Sequence, residues 1–181
     1  MSDESDAALV QRAQKGNVNA VGELYDRHHI RIFRYLWSRL HDKQLAEDLT
    51  GEVFVRMVAH LPGYRPTSIP FKAWLYRIAH NLMVDQYREQ SSHPLEPLER
   101  AEGLDGERQN PAAAAEWQLN AEQVEHALRA LDPAQQEVVV LRFLVGLSLQ
   151  EVALALSKSV AAIKSLQHRG LAALRVSLQD N

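Results

Sequence analysis

The sequence predicts an all-α protein: two small helical domains joined by a flexible acidic linker, the C-terminal one containing a helix-turn-helix. Three observations lead there. Apolar residues recur at helical spacing in almost every segment, with no strand-like alternation and no Asn-Gly hairpin signal. Residues 91–111 are rich in proline, glycine and acids and poor in large apolar side chains, as a linker is. Near the end, two short helical segments flank a tight turn at Ser157-Lys158, and the second is basic and acid-free. The implied domains are residues 1–90 and 112–181, with 91–111 between them.

Taken in order, the first helix covers Asp6 to Lys15 and stops at Gly16-Asn17. Asn17 caps a second helix running to about Leu40, with Val21, Leu24, Ile32, Phe33, Leu36 and Leu40 as its apolar positions. Asp42 caps a third, which buries Leu45, Leu49, Val53 and Met57 and sets Asp48 and Glu52 one turn apart on the exposed side. A breaker-rich loop, Leu61 to Ser68, precedes a helix from Pro70 to Glu89. Beyond the linker, Ala112 to Ala130 reads as helix. Asp132-Pro133 supplies an N-cap and a first-position proline for a helix to about Leu144, and Gly146 breaks it. Ser148 and Glu151 form a capping box for a short helix to Leu156, and Ser159 caps the last, Val160 to about Ser177.

Composition narrows the class. The chain has 181 residues, 46% of them hydrophobic, and no cysteine, which excludes disulfides and thiolate metal sites and fits a reducing compartment. No apolar run is long enough to span a bilayer, and the acidic N-terminus is unlike a signal peptide. A cytoplasmic protein with no membrane contact of its own is expected. Net charge of −3 and a pI near 6.2 argue against a protein that coats DNA unaided. The charge is uneven, however. Val152 to Gln179 holds Lys158, Lys164, Arg169 and Arg175 and no acid. Tyr64 to Arg88 holds Arg65, Lys72, Arg77 and Arg88 against Asp85 alone. Basic islands in an acidic chain suggest DNA contact at chosen places, with a larger partner supplying most of the affinity.

The helix after Pro70 carries the richest constellation. Phe71, Leu75, Ile78 and Leu82 share one face, with Trp74 and Ala79 at its edges. Arg77, Asn81 and Arg88 line the opposite side beside His80, and Tyr76 and Tyr87 occupy a third flank near Met83. Either this is an ordinary solvated face, or it suits single-stranded nucleic acid. Cations hold phosphates, rings accept unstacked bases and an amide reads a base edge. In the last helix Lys164, Ser165, His168 and Arg169 lie opposite Val160, Ile163 and Leu171. They suit phosphate and guanine contacts, although a helical hairpin that merely packs looks similar.

Read together, the segments resemble the extracytoplasmic-function (ECF) sigma factors of bacterial RNA polymerase, in order and over nearly the whole length. A-E-D-L-T-G-E-V-F-V-R is similar to the family's polymerase-binding helix, and F-K-A-W-L-Y-R-I-A-H-N-L-M-V-D to its promoter-melting helix. L-D-P-A-Q-Q-E-V-V-V-L-R-F-L-V-G-L-S-L-Q-E-V-A, followed by V-A-A-I-K-S-L-Q-H-R-G, resembles its terminal helix-turn-helix. The resemblance implies a non-enzymatic initiation factor, without cofactor or metal, that binds core polymerase and opens specific promoters. It implies polymerase binding by Asp48, Glu52, Phe54 and Arg56. It implies −10 recognition by Asn81 with Tyr64, Arg65, Lys72, Trp74, Tyr76, Arg77, His80 and Arg88. Lys164, Ser165, His168 and Arg169 would face the −35 element. It further implies an anti-sigma factor as partner, and a linker that passes near the polymerase active site and RNA exit path, where mimicry of RNA charge by Glu96, Glu99, Glu102, Asp105 and Glu107 is a hypothesis.

Two departures stand out. Gly51 replaces the usual glutamine, at a cost of roughly 1 kcal/mol relative to alanine in a helix. Leu166-Gln167 replaces the frequent arginine-leucine pair, so a different −35 sequence is expected. With no further domain after Asn181, sensing is expected to reside in a partner. A free-standing helix-turn-helix regulator is the rival reading, and a purely helical adaptor a third. His28-His29, His41, His60 and His80 lack any H-E-x-x-H spacing and read as ordinary surface or core histidines rather than an enzyme's metal site.

Overall fold

The computed structural model describes residues 4–92, 124 and 126–179. The described residues are helices and turns, in the order α1 (Asp6–Gln14), α2 (Val18–Leu40), α3 (Lys43–His60), α4 (Phe71–Ser92), α5 (Pro133–Val139), α6 (Leu149–Leu156) and α7 (Val160–Gln179). A short 3-10 turn, Leu61–Gly63, follows α3. The expected linker from 93 onward, including its five acids, and most of the helix expected over Ala112 to Ala130 lie outside the described residues; 126–129 are helical. No described helix is long and apolar enough to cross a membrane.

The starts are set by side chains that accept from otherwise unpaired helix N–H groups. Ser5 accepts from Ala8, Asn17 from Ala20, Asp42 from Leu45 and Asp132 from Ala134. At α6 the capping box is complete, Ser148 accepting from the Glu151 N–H and Glu151 from the Ser148 N–H. Two helices end on left-handed residues that are not glycine, α2 at His41 (φ 55°) and α6 at Ser157 (φ 53°).

Two boundaries differ from the sequence reading. Helix α4 runs on to Ser92, two residues into the expected linker. The segment after Val139 does not continue as α-helix. Val140–Leu144 widens into a π-type turn, closed by Val145 N–H to the Val140 carbonyl at 3.0 Å. That turn redirects the chain toward Gly146 and α6.

Helices α1 to α4 pack in sequence, α2 on α3 and α3 on α4. Helices α5 and α7 pack on each other so closely that a Cβ at Gly170 would stand 2.9 Å from Val139 Cγ2. Helix α4 also packs on α6, and the buried residues of both halves form one contiguous cluster. The consequence falls on α4. Besides Phe71, Leu75 and Leu82, the first part of its third flank is also covered, with Tyr76 and Met83 almost completely buried, while Tyr87 farther along stays exposed.

Candidate nucleic-acid interface

Three surfaces carry the residues singled out from the sequence. On α3, Asp48 is exposed, and Glu52 pairs one turn on with Arg56, Nε to Oε1 at 2.8 Å. Phe54 is not on that surface. It is buried beneath Tyr25, edge to face at 4.8 Å between centroids, because α2 covers that side of α3. The aromatic ring that the surface does present is Tyr25, stacked on His29 at 4.6 Å, which sequence reasoning missed.

Helix α4 and the loop before it form the second surface. Asn81 is exposed and has no side-chain bond to another described residue; Arg65 is exposed in the loop. Arg88 is exposed near Asp85, 3.8 Å away. Trp74, half-buried, stacks on Tyr64 at 4.5 Å. Tyr64 itself is buried and donates from its hydroxyl to the Ile69 carbonyl at 2.7 Å, which folds the loop onto the helix. Burial, with the charge of Asp6 adding, pushes the Tyr64 phenol up to about 12.

The other expected reading groups point into the C-terminal half. Arg77 donates from Nε to the Leu154 carbonyl at 2.9 Å and again from Nη2. Lys72 Nζ donates to the Val145 carbonyl at 3.2 Å. His80 Nδ1 lies 3.3 Å from Glu137 Oε1. Tyr76, expected on an open flank, is 1% exposed, with its hydroxyl unpartnered and its acidity suppressed by burial.

At the centre of this contact sits Glu137, a carboxylate that is 3% exposed. Arg39 Nε donates to its Oε2 at 2.8 Å, and the Tyr35 hydroxyl donates to its Oε1. Arg39 also donates to the Gln136 side-chain oxygen, and Tyr87 anchors the same turn of α2 by donating to the Arg39 carbonyl at 2.6 Å. Burial works against the charge on Glu137. The hydrogen bond with His80, the charges of Arg39 and His80 and the Tyr35 hydroxyl outweigh it and hold the carboxyl below its usual value. Desolvation and the adjacent carboxylate push the Tyr35 phenol far up. The sequence does contain a sign of this cluster: Glu137 is the one acid flanking the apolar run 138–141, where an unpaired charge would be very costly.

The third surface is the outward side of α7. Lys164, Ser165, His168 and Arg169 are all exposed, while Ile163 and Gly170 are buried against α5 and α6. The departing pair does not share that outward side. Leu166 packs on the core, and Gln167 accepts from Arg142 Nε at 2.9 Å. Their expected effect on the DNA sequence read therefore lacks a direct route through exposed side chains.

Among the described residues, no three His, Asp or Glu side chains gather as a metal site. His28 is buried, with Nε2 2.8 Å from Asp6 and its ring edge-on to Phe71, so it joins α1 and α2 to α4.

Two helical units, the first with Asp48 exposed on α3 and the second ending in a helix with Lys164 and Arg169 exposed, fit the class of two-domain transcription initiation factors to which the following matches assign the chain. The chain matches Sigma-70 region 2 over residues 24–93 and Sigma-70, region 4 over residues 127–176. It is 40% identical to the ECF RNA polymerase sigma factor BldN of Streptomyces coelicolor, over 98% of this chain and 69% of that one. It is 31% identical to the RNA polymerase sigma factor CnrH of Cupriavidus metallidurans, over 97% of this chain and 95% of that one. The solved structure of CnrH in complex with the cytosolic domain of CnrY superposes with a TM-score of 0.75 at 30% identity, covering 98% of this chain and 99% of that one. The chain belongs to the ECF RNA polymerase sigma factors. It is a non-catalytic factor that directs RNA polymerase to promoters.

Proposed function

We propose that residues 1–90 dock on core polymerase and read the −10 element, that 91–111 form a flexible acidic linker, and that 112–181 read the −35 element as a helix-turn-helix. The polymerase-facing groups are Asp48, Glu52 and Arg56 on α3, with Phe54 supporting the surface from beneath. In the −10 set, Asn81 reads a base edge, Arg65 and Arg88 hold phosphates, and Tyr64 and Trp74 shape the loop beside them. Lys72, Tyr76, Arg77 and His80 join that set once α4 is uncovered. Lys164, Ser165, His168 and Arg169 meet the −35 duplex. Strand opening costs a few kcal/mol per unstacked step, offset by stacking and pocket contacts. Polymerase supplies the general affinity for DNA, so a subunit with net charge −3 suffices.

The observation that carries this reading is the exposure of Asn81, an amide with no bond to another described side chain and the one exposed residue between Phe71 and Val84 on α4. An exposed amide contributes little to folding, so Asn81→Ala should leave stability and core binding intact and reduce open-complex formation. Run-off transcription and permanganate footprinting with reconstituted holoenzyme test this; equal loss in core binding, or no loss anywhere, removes the role.

We further propose a cytoplasmic location and a dedicated anti-sigma factor as partner. What supports the partner is the likeness, over nearly the full chain, to CnrH held in complex with the cytosolic domain of CnrY. Retention of a single inhibitory protein on the immobilised chain, and its loss of run-off inhibition when removed, is the check.

A further inference from the structure

We infer that Gln14, the last residue of α1, is a positioning residue for the loop of the −10 surface, holding that loop's backbone by both hydrogens of one amide. This rests on the −10 assignment proposed above and deepens it. Gln14 Nε2 donates to the Leu61 carbonyl at 2.9 Å and to the Tyr64 carbonyl at 2.8 Å, across 47 and 50 positions of sequence. A side-chain amide nitrogen carries two hydrogens, and here each meets a main-chain oxygen. Turning the amide over would set its own oxygen against two carbonyls, so its orientation is fixed.

The two acceptors stand where the chain leaves α3 and enters the loop. Leu61 follows the last residue of α3, where helix carbonyls lack partners within the helix. It opens the 3-10 turn, which the Tyr64 N–H closes on the Leu61 carbonyl at 3.1 Å. Tyr64 is then fastened three ways. Its carbonyl accepts from Gln14, its hydroxyl donates to the Ile69 carbonyl at 2.7 Å, and its ring stacks on Trp74 of α4 at 4.5 Å. Tyr64 and Ile69 are buried, while Arg65, Pro66, Thr67 and Ser68 between them are exposed. Gln14 thus restrains the backbone at the first of two buried anchors, with the exposed stretch between them. Helix α1 is itself held at its other end, where Asp6 meets Arg27 and His28 of α2. The loop is therefore braced from α2 through α1, and a loop set before DNA arrives loses less freedom on binding. Gln14 is exposed, so its share in overall stability is small.

Two substitutions isolate the donors. Gln14→Met keeps the length, the neutral charge and the helix preference but removes both donors. Gln14→Glu keeps the shape and turns carboxylate oxygens toward the two carbonyls. In the full chain without DNA, hydrogen exchange read by mass spectrometry follows the peptide 61–70, whose Tyr64 and Ser68 amides donate within the loop. Exchange there should quicken about tenfold in Gln14→Met and further in Gln14→Glu, while α2 and α3 exchange as before. Circular dichroism verifies that helicity is kept.

Reconstituted holoenzyme carrying Gln14→Met then transcribes a promoter library varied at −10 or at −35. Preference for the matched −10 element over single-base variants should fall about tenfold, the share of one base-edge contact. Preference at −35 and binding to core polymerase should stay as they were. A uniform loss over all promoters means that Gln14 only supports the fold and overturns the positioning role. Unchanged exchange of 61–70 in both variants overturns the brace. Quickened exchange with an intact −10 preference overturns its link to reading. Failure of the −10 assignment is a separate result, because Asn81→Ala would then leave the −10 preference unaltered while 61–70 still responded to Gln14.

Discussion

Asp6 ties the N-terminal helix to the rest of the first domain through two contacts, Arg27 Nη1 and His28 Nε2, each at 2.8 Å. The hydrogen bond with His28 is the largest influence on its carboxyl, which is held below the usual value of 3.8 despite partial burial. Because the folded value is depressed, the stabilisation is complete above the unfolded value and is lost as pH falls through the folded one. The same sign holds for Glu137 against its usual 4.5. Thermal unfolding followed from pH 6 downward should therefore show a loss of stability that begins in the Asp and Glu range. Asp6→Asn should flatten part of that slope while lowering stability at neutral pH. An Asp6→Asn profile parallel to the original would show that Asp6 does not couple folding to protons. The partner of Asp6 was not legible from the sequence: Asp6 and His28 are 22 positions apart, and periodicity within a helix carries no information on partners in another.

At the scale of elements, the caps and breakers were legible because they act locally. Ser148 with Glu151, Asp132 before Pro133, and Asn17 each bond within a few residues of themselves, so the spacing alone locates the helix start. The π-type turn at Val140–Leu144 was not legible, since its apolar residues fit an α-helical pattern equally well and the widening answers to packing. Two glycines show the same contrast. Gly51 sits in α3 with open space where a Cβ would go, so Gly51→Ala should stabilise by about 1 kcal/mol through propensity alone. Gly170 is also helical, yet a Cβ there would meet Val139 Cγ2 at 2.9 Å and Gln135 Cβ at 3.4 Å. Gly170→Ala should therefore destabilise by about 1–3 kcal/mol, because overpacking the α5–α7 contact outweighs the propensity gain. Urea denaturation of the two variants measures both; a stabilised Gly170→Ala would mean that α7 shifts outward freely.

For the whole molecule, the sequence conveyed two helical units and three candidate surfaces but not the way one unit covers another. Amphipathic reading assigns one buried face to a helix. Helix α4 has two, one against α2 and α3 and one against α6, so Tyr76 was read as open when it is enclosed. On α7 the exposure of Lys164, Ser165, His168 and Arg169 was legible, because nothing among the described residues covers them, whereas the packing of Leu166 and Gln167 was not. That difference bears on how DNA binding should respond to salt. Each phosphate neutralised by a cation releases condensed counterions, which steepens the dependence of affinity on salt by about 0.9 per contact on duplex DNA. Lys164, exposed on α7, is the cation proposed for such a contact, whereas Asn81 is uncharged. In holoenzyme bound to a promoter, Lys164→Ala should weaken binding across sequences and make the salt slope shallower by about one. Asn81→Ala should weaken binding to the matched promoter alone and leave the slope as it was. Filter binding or anisotropy over a salt series separates the two. A slope untouched by Lys164→Ala would remove Lys164 from the phosphate contacts, and a slope altered by Asn81→Ala would mean that this amide positions backbone rather than reads a base.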